Sequence, residues 1–222
     1  MNPGACLIKE RFPEFEAARK VLSEVKASDW APTHPDGPYK SDGWRVVEIV
    51  AKGKRTEFVD RHPDIAQVLD YFKDPIEMAV FYSVLPGAEL HPHRDLSGTL
   101  ELGMIRYHIP IETNPKVDFY VDKKRVPMGV GEMWGLNTSY LHAVANHSNL
   151  DRIHLVVEVE VGPWSWDLLP PKSAGYYKHY ASFMSLIAWK GITKVLTDKN
   201  ALRNYSNLSR MFFSRLLGRR PV

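Results

Sequence analysis

Apolar side chains recur along this chain in two rhythms. Near the N-terminus the spacing is helical. After Pro13 and Glu14, the residues Phe15, Ala18, Val21, Leu22 and Val25 share one face, which predicts a helix over 13–27. A second helix is predicted over 63–73 (PDIAQVLDYFK), opened by Pro63 and Asp64. Between them, RVVEIVA (45–51) reads as a strand, preceded by a loop over 31–43 rich in Pro, Gly and Asp. From residue 77 the rhythm changes. Short β-branched and aromatic runs occupy 77–85, 100–111, 116–121, 132–135 and 152–161. Pro86-Gly87, Asn114-Pro115 and Gly129-Val130-Gly131 separate them. Short strands at turn-marked intervals predict a barrel or a sandwich.

Beyond Pro170-Pro171 helical spacing returns. Tyr180, Phe183, Met184, Ile187, Ile192 and Val195 predict one helix. In 201–217, Leu202, Tyr205, Leu208, Phe212 and Leu216 fall on one arc, with Arg203, Ser206, Asn207 and Arg210 on the other. The pattern therefore predicts a body over 1–171 and a helical extension over 172–222.

Charge separates the same two regions. The net charge of +3 is unevenly spread: residues 172–222 hold ten Lys/Arg and one acid, Asp198. A mildly acidic body carrying a basic tail implies two jobs or two partners. Three readings of the tail follow: a solvated basic helical face, a surface for anionic lipid or glycan-lipid, and nucleic acid. Arg210-Met211-Phe212-Phe213 and Arg215-Leu216-Leu217 mix cations with large apolar groups, as interfacial helices do. No nucleic-acid motif accompanies the charge, which disfavours the third.

Length and composition narrow the classes further. At 222 residues, with 44% apolar and 25% charged residues, general disorder is excluded. No apolar run approaches the ~18–20 residues that a membrane-spanning helix needs. The N-terminus shows no basic stretch followed by an apolar core, so no secretory signal is expected. The single cysteine, Cys6, closes no internal disulfide. A reducing, cytoplasmic setting is expected, with peripheral membrane contact through the tail as an extension of it.

The candidate chemistry lies in PGAELHPHRD (86–95). Residues two apart on a strand share a face, so His93 and Asp95 can offer an imidazole nitrogen and a carboxylate oxygen to one metal ion. The chain has two other His-x-Asp triplets. His34-Pro35-Asp36 lies in the loop, and His62-Pro63-Asp64 marks a helix start. Only His93-Arg94-Asp95 opens a strand-rich region that holds further histidines: His108, His142, His147 and His154. One of them would complete a two-histidine, one-carboxylate set, the arrangement of non-haem Fe(II) oxygenases. The segment 131–144 is a turn, a short strand, a loop and a second strand start, which can return His142 to the metal. His91 shares the parity of His93 and is an alternative ligand. Arg152 opens the most β-rich run, and a buried arginine there needs an anion. A dicarboxylate co-substrate would supply one through a bidentate pair.

PGAELHPHRD (86–95), RYHIPIETNP (106–115), GEMW (131–134), LHAVAN (141–146) and RIHLVVEV (152–159) together resemble the aspartyl/asparaginyl β-hydroxylase family of Fe(II)- and 2-oxoglutarate-dependent oxygenases. Their joint order and spacing are far more specific than His-x-Asp alone. The resemblance implies a mainly β fold: a double-stranded β-helix, or cupin-like jelly roll, with N-terminal helices. It implies His93, Asp95 and His142 as iron ligands and Arg152 as the clamp on the distal carboxylate of 2-oxoglutarate. It places Arg106 in the cavity, holding a carboxylate of substrate or co-substrate. His108 and His154, two residues beyond Arg106 and Arg152, are then expected to face the same cavity, as ligand contacts or as hydrogen-bonded core histidines. The implied reaction consumes O2 and 2-oxoglutarate, hydroxylates a C–H bond and releases succinate and CO2. Asp95 stands where the vertebrate members have glycine, which places the chain nearer the bacterial, proline-hydroxylase-like branch. A small molecule is then expected as substrate, or a small group on an amino acid, lipid or glycan. Two rivals remain. A cupin enzyme without 2-oxoglutarate normally carries His-x-His followed closely by Glu, whereas Glu101 comes eight residues after His93. A non-enzymatic anion- or membrane-binding jelly roll would need no ligand triad.

Overall fold

The computed structural model describes residues 4–33, 43–96 and 98–197. The strands are β1 (Ala5–Lys9), β2 (Ala31–Pro32), β3 (Trp44–Ala51), β4 (Lys54–Arg55), β5 (Ile76–Val84), β6 (Glu89–His93), β7 (Met104–Glu112), β8 (Val117–Val121), β9 (Lys124–Arg125), β10 (Met133–Leu136), β11 (His142–Asn146) and β12 (Arg152–Glu160). The helices are α1 (Phe15–Glu24), α2 (Glu57–Arg61), α3 (Ile65–Asp70), α4 (Pro163–Leu168) and α5 (Ala174–Thr197).

Among the described residues all strand pairing is antiparallel, in two sheets. The larger runs β1-β10-β7-β12-β5-β3-β2, with β4 on β3; the smaller runs β6-β11-β8-β9. The chain is mainly β, as expected, and the two sheets form the jelly roll. β12 lies in the middle of the larger sheet, and eight of its nine residues are buried. That explains its near-continuous apolar run: a strand covered on both faces has no solvent side to mark with polar residues.

The two faces of the larger sheet differ. Odd-numbered residues of the central strands, Ile105, Tyr107 and Ile109 of β7, Leu155 and Val157 of β12 and Ala79 and Phe81 of β5, belong to one apolar core with α1 and α3. From α1 this core takes Phe15, Ala18, Val21 and Leu22, the predicted helical stripe. Even-numbered residues face the smaller sheet, where a second cluster gathers Phe119, Val121, Leu136 and Val144. The Asp74 carboxylate accepts from the backbone N–H groups of Gly162 (2.9 Å) and Ser165 (2.8 Å). It therefore holds the N-terminus of α4 against the end of the sheet.

The expected helix over 13–27 is shorter, Phe15–Glu24, because Val25 turns extended (φ −66°, ψ 126°). The helix over 63–73 contracts to Ile65–Asp70 and is preceded by α2, which Thr56 caps by accepting from Phe58 N–H. The described residues form two compact units, one within 4–100 and 104–170, the other 101–103 with 171–197. In the second, α5 carries the first predicted C-terminal helix. The helix over 201–217, and most of the 31–43 loop with His34 and Asp36, lie outside the described residues.

Candidate metal and co-substrate site

β6 and β11 pair so that His142 stands directly opposite His93, with ring centroids 4.2 Å apart. The pairing shifts register by one residue between His142–His93 and Val144–Leu90. This bulge decides between the two candidate histidines of His-Pro-His. Simple alternation puts His91 on the side of His93. An extra residue in the strand reverses parity, so Leu90 and His93 line the cavity while His91 is exposed.

Each of the two rings is anchored by its own backbone. His93 Nδ1 lies 2.9 Å from the His91 carbonyl, and His142 Nδ1 lies 2.9 Å from the Tyr140 carbonyl. A carbonyl only accepts, so Nδ1 carries a hydrogen and Nε2 is the atom each ring can offer to a metal. That is how metal-binding imidazoles are commonly oriented. Burial chiefly pushes the His142 pKa down to about 4; the Tyr140 carbonyl opposes it, and His93, Asp95 and Arg106 add smaller effects of both signs, so the ring is neutral at neutral pH.

Asp95 lies just past β6, where its backbone N–H donates to the Thr138 carbonyl at 3.0 Å. One carboxylate oxygen, Oδ2, accepts from Arg106 Nη1 at 3.0 Å; the other, Oδ1, lies 3.7 Å from His93 Nε2. Candidate ligand atoms of His93, Asp95 and His142 all fall within 4.8 Å of one another. Residues from two stretches of the chain, 93–95 and 142, thus converge.

Arg106 is bound differently from the expectation. On β7 it faces Glu158 of β12 across the ladder, and its Nε and Nη2 reach Glu158 Oε2 at 3.1 and 2.7 Å. Its hydrogen bonds go to two carboxylates of the protein, Glu158 and Asp95, and it lines the cavity between them. Burial pulls its pKa down, but Glu158 and Asp95 outweigh that and leave it raised. Arg106 is therefore the support that orients Asp95. Glu158 is the residue that sequence reasoning missed. Its signal was an acid in step with Arg152 and His154 inside an otherwise apolar strand. Gly98 (φ +66°) lets the loop pass over it, since a Cβ there would lie 2.5 Å from Glu158 Oε2.

Arg152, the first residue of β12, is 1% exposed. Its Nη2 donates to His154 Nδ1 at 2.8 Å, and its Cζ lies 5.6 Å from the centre of the Phe119 ring. Its Nε has no hydrogen-bond partner among the described residues, and no ion pair to a carboxylate is found there. Burial pulls its pKa down to about 9. A guanidinium stays charged, so the site holds a buried cation that favours an anion. His108 Nδ1 and His154 Nε2 are likewise buried without partners among the described residues. Burial, then the Arg152 charge, holds both rings well below the ordinary histidine range.

His93, Asp95, His142, Arg106, His108 and Arg152 all line one cavity of about 270 Å³, together with Trp44, Tyr82, Leu90 and Phe119. His154 stands behind Arg152 and outside this lining. The remaining histidine candidate, His147, is exposed beside Asp118, 3.6 Å from its carboxylate. Trp134 packs at the margin of the second apolar cluster and donates to Glu132 Oε2 at 2.7 Å.

Similar solved structures include a 2OG-Fe(II) oxygenase family oxidoreductase from Burkholderia pseudomallei, at 13% identity and TM-score 0.48 over 71% of this chain and 85% of that one. Another is a Pseudomonas putida prolyl-4-hydroxylase, at 15% identity and TM-score 0.47 over 72% and 93%. Residues 13–161 match the family model described as aspartyl/asparaginyl beta-hydroxylase, which spans most of the sheet core and every residue of the site. The chain belongs to the aspartyl/asparaginyl β-hydroxylase family.

Proposed function

We propose that the protein is an Fe(II)- and 2-oxoglutarate-dependent dioxygenase that hydroxylates a C–H bond of a small molecule, or of a small group on a larger one. The observation that carries this reading is the convergence of His93, Asp95 and His142, with both imidazoles turned to present Nε2. The donor set fits ferrous iron: two imidazole nitrogens and one carboxylate oxygen would hold it as a two-histidine, one-carboxylate set and leave room for other ligands. The pocket beyond it fits 2-oxoglutarate, because Arg152 offers a buried cation whose Nε has no partner among the described residues. Iron with 2-oxoglutarate would supply O2 activation and C–H oxidation, with succinate and CO2 as co-products.

The chain's own residues supply placement. The backbone carbonyls of residues 91 and 140 fix the two rings. Arg106 holds one oxygen of Asp95, which aims the other toward His93 Nε2. Arg152 would grip the distal carboxylate of the co-substrate, and Phe119 covers the guanidinium on one side. Trp44, Tyr82 and Leu90 form the wall against which a substrate would lie. Tyr82 stays protonated at neutral pH, since burial raises its pKa despite the opposing Arg106 charge. It can thus donate a hydrogen bond to substrate.

The direct test is turnover. Reconstituted with Fe(II) in air, the protein should convert 2-oxoglutarate to succinate with matching O2 uptake, slowly without substrate. His142→Ala should do neither. Absence of 2-oxoglutarate consumption by the iron-loaded wild-type protein would remove the reading.

The basic segment has a reading of its own: contact with an anionic lipid surface. On α5, Trp189 and Ile192 are 66% and 53% exposed and flank Lys190. Mixed anionic vesicles should blue-shift and enhance tryptophan fluorescence in the wild type. A Trp189→Ala, Lys190→Gln variant should show a reduced change, and an equal response would exclude this face.

A further inference from the structure

A second cavity, about 340 Å³, lies on the far side of Arg152. Arg152 and Phe119 line both cavities, so they form a common wall. His154 lines only the second. Because the charged guanidinium donates to His154 Nδ1, the ring hydrogen sits on Nε2. That N–H is buried and has no partner among the described residues. A cation and an imidazole N–H are therefore placed where the second cavity meets the co-substrate pocket. Among the described residues no Asp or Glu lines this cavity, whereas Arg125 does. Its walls are otherwise largely apolar, which strengthens the field of the Arg152 guanidinium, whereas Arg125 is paired with Asp118, its Nε donating to Oδ1 at 2.7 Å. The metal-side cavity contains Asp95 and is the one of the two that reaches the metal-ligand side chains, so it is the one a substrate must fill.

We propose that the second cavity is the passage by which 2-oxoglutarate reaches Arg152 and succinate leaves it, independently of the substrate's entrance; the inference rests on the function proposed above. A carboxylate entering here meets Arg125 near the rim, the His154 N–H next and Arg152 last. Succinate can depart the same way while product still covers the metal side.

The test narrows the passage without touching the pocket. Val130 lines the cavity and is 48% exposed, so Val130→Trp adds bulk at its mouth. Binding is followed by stopped flow, mixing the anaerobic Fe(II) protein with 2-oxoglutarate and reading the visible charge-transfer absorption; release is read by displacement with excess succinate. A plug raises the barrier and leaves the bound state alone. Association and dissociation should therefore both slow at least about tenfold, with Kd unchanged within about twofold. Should Val130→Trp fail to fold, Val130→Cys can be alkylated with a bulky maleimide after folding. Cys6 would not compete, because burial pushes its thiol up to about 11. Unchanged rates in the plugged protein would overturn the passage, as would weakened affinity with an unchanged association rate. Wild-type protein that binds no 2-oxoglutarate would remove the functional reading and the passage together.

Discussion

The two faces of the larger sheet are made by the same strands and do opposite work. On β12, Ile153, Leu155, Val157 and Val159 enter the apolar core under α1 and α3. Between them, Arg152, His154 and Glu158 turn to the other side. β7 repeats the arrangement, with Ile105, Tyr107 and Ile109 on one face and Arg106 and His108 on the other. One face gains free energy by removing apolar surface from water. The other gives some back by burying a guanidinium and two imidazoles with incomplete hydrogen bonding. A strand's period of two lets a fold keep these roles one residue apart.

Substitutions on the two faces should therefore separate binding from stability. The largest effect is expected at His142. His142→Ala should lose Fe(II) retention, measured by metal analysis after anaerobic desalting, with the fold intact. Arg152→Met should weaken 2-oxoglutarate binding by about 2–4 kcal/mol, roughly 30- to 1,000-fold by calorimetry. The same change should leave the metal-free protein as stable as wild type or more so, because a buried cation without a carboxylate partner is replaced by apolar volume. A clear loss of stability in that variant would contradict the contrast between the faces. Leu155→Ala should show the reverse: about 2–5 kcal/mol lost in urea unfolding, with 2-oxoglutarate affinity of the folded fraction within about twofold.

Acid should find the polar face first. On folding, the His142 pKa falls from its ordinary value of 6.5 to about 4, chiefly through burial. Above about pH 6.5 the ring is neutral in both states and contributes no pH dependence. Below it, the unfolded chain takes a proton that the folded chain refuses. Stability is thus lost as pH falls from about 6.5 toward 4, by about 2 kcal/mol at pH 5 from this ring alone. His108 and His154 act in the same direction. Urea unfolding of metal-free protein at pH 7 and pH 5 measures the loss, and equal stability at both would show that these rings are not buried neutral.

Much of the fold and the site is legible in the sequence, and the reasons for the rest are physical. The long strands announce themselves through β-branched runs, and the first helix through its apolar stripe. β1, β4 and α2 are too short for a period to emerge. His93, Asp95 and His142 are readable because their motifs occur in a fixed order. The choice of His93 over His91 is not readable from alternation, because a one-residue bulge in β6 reverses it. Nor is the role of Arg106 readable. Its partner Glu158 is 52 residues away and is fixed only by the register of β7 on β12. Parity groups His154 with the pocket. The structure places it on the same face but one step further, behind Arg152.

One absorption spectrum tests the iron centre most directly. Under argon, wild-type protein given one equivalent of Fe(II) and then 2-oxoglutarate should develop a visible charge-transfer band, which His142→Ala should lack. A wild-type protein that stays colourless, or a His142→Ala variant that develops the same band, would contradict a centre built from His93, Asp95 and His142.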